Sequence, residues 1–288
     1  MDAANRTVTE TAPAKVNLIL QIGPRRDDGL HELCSLFASI DLADALRFEV
    51  SEEGGADKVI SPGLEGPNLV TAALATYRHA VRELPPLRVE VEKGIPVAAG
   101  LAGGSADAAA ALRAANRIAG GRLDADGLRA LGFELGADVP SQVEPGHALV
   151  EGAGERDEPV ALPRMSLLLA PSTPGLATAD VYAEADRIGS TRTRLDPERV
   201  RAAADASLEE LASALVNHLE PAVLSLRPEL EQTSRALAER GALGALISGS
   251  GPTVFGVFED ETRAREAAAA IPNAIVAGLR APDHRRSS

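Results

Sequence analysis

The chain has 288 residues, 45% of them hydrophobic, and a formal net charge of −13 at pH 7. That length and apolar content suit one large or two ordinary globular domains, while the acidic balance, relieved only by the short Arg285-Arg286 tail, excludes general nucleic-acid or anionic-membrane binding. The single cysteine, Cys34, excludes an intrachain disulfide or a cysteine metal site. With no tryptophan and few aromatics, the core is built from Ala, Leu and Val. No apolar run reaches spanning length and the polar start, Met1 to Thr9, has no signal-peptide hydrophobic region, so the expected address is the cytoplasm and the expected partner a small molecule.

The first segment, Val8 to Ile22, reads as strand interrupted near Pro13. From Lys15 onward it alternates, with Val16, Leu18, Leu20 and Ile22 on one face and Lys15, Asn17, Ile19 and Gln21 on the other. Taken alone, the second face is an ordinary solvent face with a surface lysine. A polar turn over residues 23–29 then delivers Leu30-His31-Glu32 into apolar sequence, where a lone histidine is more often structural than functional. Strands follow at 36–40 and 46–50, and residues 51–67 form an acidic loop around a short strand at 58–60. Asn68 caps a helix whose stripe is Leu69, Ala73, Tyr77, Ala80 and Leu84, stopped by Pro85-Pro86. Leu87, Val89 and Val91 alternate as the strand that follows.

That strand feeds the stretch Pro96-Val97-Ala98-Ala99-Gly100-Leu101-Ala102-Gly103-Gly104-Ser105-Ala106. Gly100, Gly103 and Gly104 permit positive φ and close approach of a ligand, and Gly104 or Ser105 is placed to cap the alanine-rich helix behind it. Free amides and the positive dipole end of such a helix make an anion site, typically for phosphate. It is not a Walker A loop, because the only nearby lysine, Lys93, precedes the glycines. A dinucleotide fingerprint lacks its second strand before Asp124. The competing structural reading is a glycine turn before a buried helix, whose narrow face is Ala108, Ala111, Leu112, Ala115 and Ile118.

A further helix runs from Asp124 to about Leu135 and ends in Gly136-Ala137-Asp138-Val139-Pro140, which leaves Asp138 at an element end as a turn residue or a catalytic one. Residues 147–150 form a strand, 152–163 a turn and connection, and a domain boundary falls there, giving domains 1–160 and 161–288. Beyond it come a buried strand at 165–170, a short helix capped by Thr178 and carrying Tyr182, and helices from Asp196-Pro197 to Arg240. Gly249-Ser250-Gly251-Pro252 joins two strands either as a plain hairpin turn or as a second loop able to present amides to phosphate. A helix at 261–270 and a strand at 274–279 complete the chain before a frayed 283–288.

In order, Ala12-Pro13-Ala14-Lys15-Val16-Asn17-Leu18, Arg26-Asp27-Asp28-Gly29-Leu30-His31-Glu32, the glycine loop, Leu135-Gly136-Ala137-Asp138-Val139-Pro140, Asn217-His218-Leu219-Glu220-Pro221 and Ser248-Gly249-Ser250-Gly251-Pro252 resemble the signature stretches of the GHMP kinases. The likeness spans nearly the whole chain. It implies an α+β, two-domain GHMP kinase fold, with an N-terminal domain like the second domain of ribosomal protein S5 and a ferredoxin-like C-terminal domain. It implies ATP and Mg²⁺ as cofactors, with ATP on residues 96–106, Asp138 and Lys15 as the catalytic pair, and Asn17, Leu30, His31, Tyr182, Gly249, Ser250 and Gly251 around the acceptor; no metal ligand set is implied. Within the superfamily the chain looks most like the branch that phosphorylates a cytidine-diphosphate-linked methylerythritol in the non-mevalonate isoprenoid route, as a monomer or weak homodimer. The alternatives are a homoserine or mevalonate type of kinase and a catalytically silent nucleotide-binding module. Two positions depart from the branch: Leu30 stands where a tyrosine is usual beside cytosine, and His218 where an aspartate is usual.

Overall fold

The computed structural model describes residues 7–51, 55–62 and 68–281; the first six residues, residues 52–54 and 63–67 of the acidic loop and the 282–288 tail lie outside them. The described residues form two compact units, one within Met1–Ala14, Leu42–Ile95 and Ala102–Pro145, the other within Lys15–Asp41, Pro96–Leu101 and Gly146–Ser288. Two long strands, β1 (Thr7–Arg25) and β2 (His31–Val50), carry the chain through both. Neither is interrupted: Pro13 does not break β1, and the two expected strands at 36–40 and 46–50 are one.

In the first unit, β2 pairs antiparallel with β4 (Leu87–Glu92), from Ala45 opposite Glu92 to Val50 opposite Leu87, and β3 (Lys58–Ile60) lies parallel to β4. Three helices cover a core of Leu46, Phe48, Leu74, Tyr77, Val89 and Leu112: α1 (Leu69–Ala80), α2 (Gly103–Ile118) and α3 (Ala125–Leu135). Asn68 caps α1 by accepting from Thr71 N, as expected from the sequence, and Asp124, expected as the first residue of α3, caps that helix by accepting from Gly127 N. Helix α1 stops at Ala80, short of the two prolines. In α2 burial is not confined to one narrow face, since Ala106, Asp107, Ala109, Ala110 and Ala114 are buried along with the expected stripe. Methyl side chains allow neighbours to close on it from nearly all sides.

The second unit holds β5 (Ala148–Gly152) antiparallel to the start of β2, the edge strand β6 (Arg156–Pro159) on β5, and the two-residue β8 (Val216–Asn217) parallel to β1. Its second sheet contains β7 (Ser166–Ala170), β9 (Gly244–Ile247), β10 (Val254–Phe258) and β11 (Ile275–Gly278) in the antiparallel order β11-β7-β10-β9. Helices α4 (Thr178–Ile188), α5 (Pro197–Ala204), α6 (Leu208–Ser213), α7 (Glu220–Leu226) and α8 (Leu230–Glu239) separate β7 from β9, and α9 (Glu261–Ala268) separates β10 from β11. Numbered among themselves these strands run 4-1-3-2, the order of a ferredoxin-like βαββαβ sheet. Thr178 does not cap α4; the cap is Ala177, without a side-chain bond. No helix among the described residues is long and apolar enough to cross a membrane.

Candidate active site

Four residues of β1 and β2 form a buried polar ladder. Lys15 Nζ donates to Asn17 Oδ1 at 2.8 Å, Asn17 Nδ2 donates to Ser35 Oγ at 2.9 Å, and Ser35 Oγ donates to the Ile19 carbonyl at 2.6 Å. The Lys15 ammonium also lies 4.2 Å from the centre of the Phe37 ring, a cation–π contact. The face that alternation alone marks as solvent is therefore interior: Lys15 is 4% exposed and Asn17 1%. Polar side chains are tolerated there because each has a partner.

Residues 96–101 and the loop after β9 are tied to this ladder. Lys15 N donates to Leu101 O, Ser248 Oγ to Gly100 O at 3.0 Å, and Thr253 N to Ala99 O. Gly100 has φ +75°, and a Cβ there would stand 2.4 Å from Ser248 O and 2.8 Å from Gly251 O, so only glycine fits. Residues 248–253 do close the β9–β10 hairpin, and Gly249 and Gly251 both have positive φ. Asn217 fixes that turn by donating to Ile247 O and Gly249 O, both at 2.8 Å. The Thr178 hydroxyl, expected to cap α4, lies 3.0 Å from Ser250 Oγ instead.

The left-handed positions of the glycine loop are Ala98 (φ +52°), Gly100 and Ala102 (φ +56°), rather than Gly103 and Gly104. Each alanine costs about 1–2 kcal/mol there. Ala102, not Gly104 or Ser105, is the cap of α2, and it supplies no side-chain bond. The first backbone bond of α2 runs from Ala106 N to Ala102 O, which leaves the amides of residues 103–105 ahead of the helical ladder. Gly104 is exposed, and a Cβ on it would meet only Leu69 Cδ1, at 3.5 Å.

Beneath that helix end lies a cluster the sequence did not signal beyond the rejected Lys93. Lys93 Nζ bridges Asp44 Oδ2 at 2.5 Å and Asp107 Oδ2 at 2.7 Å, while Asp44 Oδ1 accepts from Gly94 N and Ile95 N. Burial pushes the Asp107 carboxyl up to about 7 against the opposing pull of Lys93. Burial pulls Lys93 down, but its two carboxylates outweigh that and raise it. Asp107 Oδ1 is buried with no hydrogen-bond partner. Asp138, half-buried, occupies the turn between α3 and the 3₁₀ turn Pro140–Gln142, and its carbonyl accepts from Ser141 Oγ at 3.0 Å.

A third group stands at the start of β2. His31 Nδ1 lies 3.0 Å from Gly23 O, and because a carbonyl can only accept, Nδ1 carries the hydrogen. Nε2 faces Asp186 Oδ1 at 3.3 Å, and the Tyr182 ring centre is 5.4 Å from that of His31 at a 42° tilt. Leu30, 43% exposed, is held by its own N–H to Asp28 Oδ1 and its carbonyl to Arg26 N. His218, the other departure, continues the β1–β8 ladder: its N–H donates to Leu20 O and its Nδ1 accepts from Ile22 N at 3.0 Å.

Residues 68–146 match the GHMP kinases N terminal domain and residues 196–277 the GHMP kinases C terminal domain. The 4-diphosphocytidyl-2-C-methyl-D-erythritol kinase of Nocardia farcinica is 41% identical over 283 residues, covering 92% of this chain and 90% of its own. The chain belongs to the 4-diphosphocytidyl-2-C-methyl-D-erythritol kinase family of GHMP kinases. A crystal structure of 4-(cytidine 5'-diphospho)-2C-methyl-D-erythritol kinase, 35% identical, superposes with a TM-score of 0.78 over 95% of this chain and 100% of that one. A homoserine kinase from Cytophaga hutchinsonii superposes with a TM-score of 0.71 over 97% and 96%, but at 18% identity, so that likeness concerns the fold alone. The two-domain α+β GHMP kinase fold is thus the fold of this member of the family.

Proposed function

We propose that the protein transfers the γ-phosphoryl group of ATP to the tertiary 2-hydroxyl of 4-diphosphocytidyl-2-C-methyl-D-erythritol, in the non-mevalonate isoprenoid route. The observation that carries this is identity of 41% along 92% of the chain to a kinase of that name. We assign domain roles as 1–160 for catalysis and nucleotide binding and 161–288 for the third glycine-rich loop, and a cytoplasmic address.

The residues supply what the reaction needs. A tertiary alcohol does not ionise near neutral pH, so a carboxylate must take its proton as the new bond to phosphorus forms; Asp138 has that role. Lys15 neutralises charge on the transferring phosphoryl oxygens, its ammonium oriented by Asn17 Oδ1. The amides ahead of the α2 ladder, open at Gly104, suit the nucleotide phosphates. Among the described residues no group of three or more His, Cys, Asp or Glu is placed to hold a metal. Bound Mg²⁺ would supply charge neutralisation at the β- and γ-phosphates, with Ser105 as the side chain that would contact it. Cytosine rests on Tyr182, is read by His31 and is covered on its other face by Leu30.

An ADP-release assay with the cytidine-diphosphate substrate, homoserine and mevalonate tests the acceptor. Turnover is expected with the first alone; preference for either other alcohol overturns the assignment, and silence with all three points to a nucleotide-binding module. Asp138→Asn should lower kcat roughly 10²–10⁴-fold with ATP binding retained.

A further inference from the structure

Arg113 of α2 is attached at each of its three guanidinium nitrogens. Its Nε donates to Glu10 Oε2 at 2.9 Å, one Nη to Thr11 O at 2.8 Å and the other to Gln142 O at 2.7 Å. Glu10 is buried, and its other oxygen lies 3.0 Å from Arg117. Gln142 closes the 3₁₀ turn that begins two residues after Asp138, and Val139 between them is fully buried against α3, where a Cβ on Gly132 would stand 3.0 Å from it. The Asp138 turn is therefore packed at Val139 by apolar contact. At Gln142 it is fixed by a guanidinium whose planar fork sets three bond directions at once, which a lysine's point charge cannot do.

We infer that Arg113, with Glu10 as its counter-charge, is a positioning residue that holds the Asp138 carboxylate in register with the hydroxyl it deprotonates. The inference rests on the reading of Asp138 as proton acceptor. Misplacement of a catalytic group by about 1 Å costs up to about 10²-fold in rate, whereas nucleotide and acceptor binding, made by other residues, is untouched.

The test compares Arg113→Met, Arg113→Lys and Glu10→Gln with the parent and with Asp138→Asn, each assayed well below its thermal midpoint. Arg113→Met should lower kcat roughly 10–10²-fold with both KM values within about threefold of the parent, Arg113→Lys should recover part of the loss, and Glu10→Gln should show a smaller loss of the same kind. In the Asp138→Asn background, none of the three should slow turnover further, because no proton acceptor remains to be positioned. A merely structural role would lower both backgrounds by the same factor, and that result, or parental kcat in a folded Arg113→Met, overturns the inference. If Arg113→Met does not fold, Arg113→Lys and Glu10→Gln decide by the same criteria. Parental turnover in Asp138→Asn removes the reading beneath it, and is distinguishable because it appears in a variant that keeps Arg113.

Discussion

The surroundings of Lys15 and those of His31 are built on opposite terms. Around Lys15 the groups are buried and answer one another: ammonium to amide, amide to hydroxyl, hydroxyl to carbonyl, with Phe37 beneath. Around His31 the ring has one backbone anchor, the carboxylate it faces is well exposed, and Leu30 projects into solvent. The first arrangement is complete before any ligand arrives; the second offers surfaces a base must complete. Changes in the first should abolish the reaction, whereas changes in the second should grade affinity.

The strongest way to break that contrast is Lys15→Ala, which removes the ammonium and leaves Asn17 Oδ1 buried without that donor. Its kcat should fall roughly 10²–10⁴-fold, and combination with Asp138→Asn should fall well short of the product of the two losses, since both act on one transition state. Steady-state rates for the two single variants and the pair check this; near-parental turnover in folded Lys15→Ala would erase the distinction.

Next in size is Gly100→Ala. Its φ of +75° and the 2.4 Å approach to Ser248 O oblige the loop to move, so calorimetry should show ATP affinity down by roughly tenfold or more with acceptor affinity retained. Gly103, which lies at the first position of α2 without a left-handed backbone, should tolerate alanine better, its Cβ meeting Ile95 Cγ2 at 3.1 Å. Equal ATP affinities for parent and Gly100→Ala would make this loop a plain turn.

Smaller effects belong to the surroundings of His31. Leu30→Tyr supplies a second aromatic face, worth about 0.5–1.5 kcal/mol beyond buried area, and should tighten acceptor binding by at most roughly tenfold with kcat nearly unchanged. Tyr182→Ala should weaken it by a comparable factor. If acceptor affinity ignores both substitutions, cytosine lies elsewhere.

The smallest effect concerns pH. Burial, with nearby Arg192 adding to it, holds the His218 imidazole below its ordinary pKa of 6.5, and burial does the same to His147. The unfolded chain therefore takes up protons first: stability is full above the ordinary value and declines as pH falls through it toward the lowered one. His218→Gln removes one of these sites, so the gap in thermal midpoint between parent and variant should narrow from pH 7.5 to pH 5. A constant gap would show that His218 takes up protons equally in the folded and unfolded chains.

Local chemistry was legible where a side chain acts on its own backbone: the caps Asn68 and Asp196 sit as the sequence implied. It was not legible where the cap is a left-handed Ala102, because nothing in an alanine announces positive φ. Strand β6, Arg-Asp-Glu-Pro on an edge, has no apolar alternation to detect, and β8 is two residues long. The glycine loops and the order of motifs were readable, as were Lys15 and Asn17 of the ladder, but not their burial. A polar face looks like solvent until the partners that satisfy it, here Ser35 some 18 residues on, are known. Asp44 and Arg113 act through tertiary contacts alone, so no local spacing marked them.

The ladder has a direction. Because the Ile19 carbonyl can only accept, Ser35 spends its one hydrogen there and must receive from Asn17, which turns the asparagine's amino group toward Ser35 and its oxygen toward Lys15. A backbone oxygen in the middle of β1 thus dictates, through two side chains, which end of Asn17 the lysine meets, and one of its three hydrogens is committed before a phosphate is near. Exchanging Ser35 for alanine would release that orientation while touching neither ligand nor lysine.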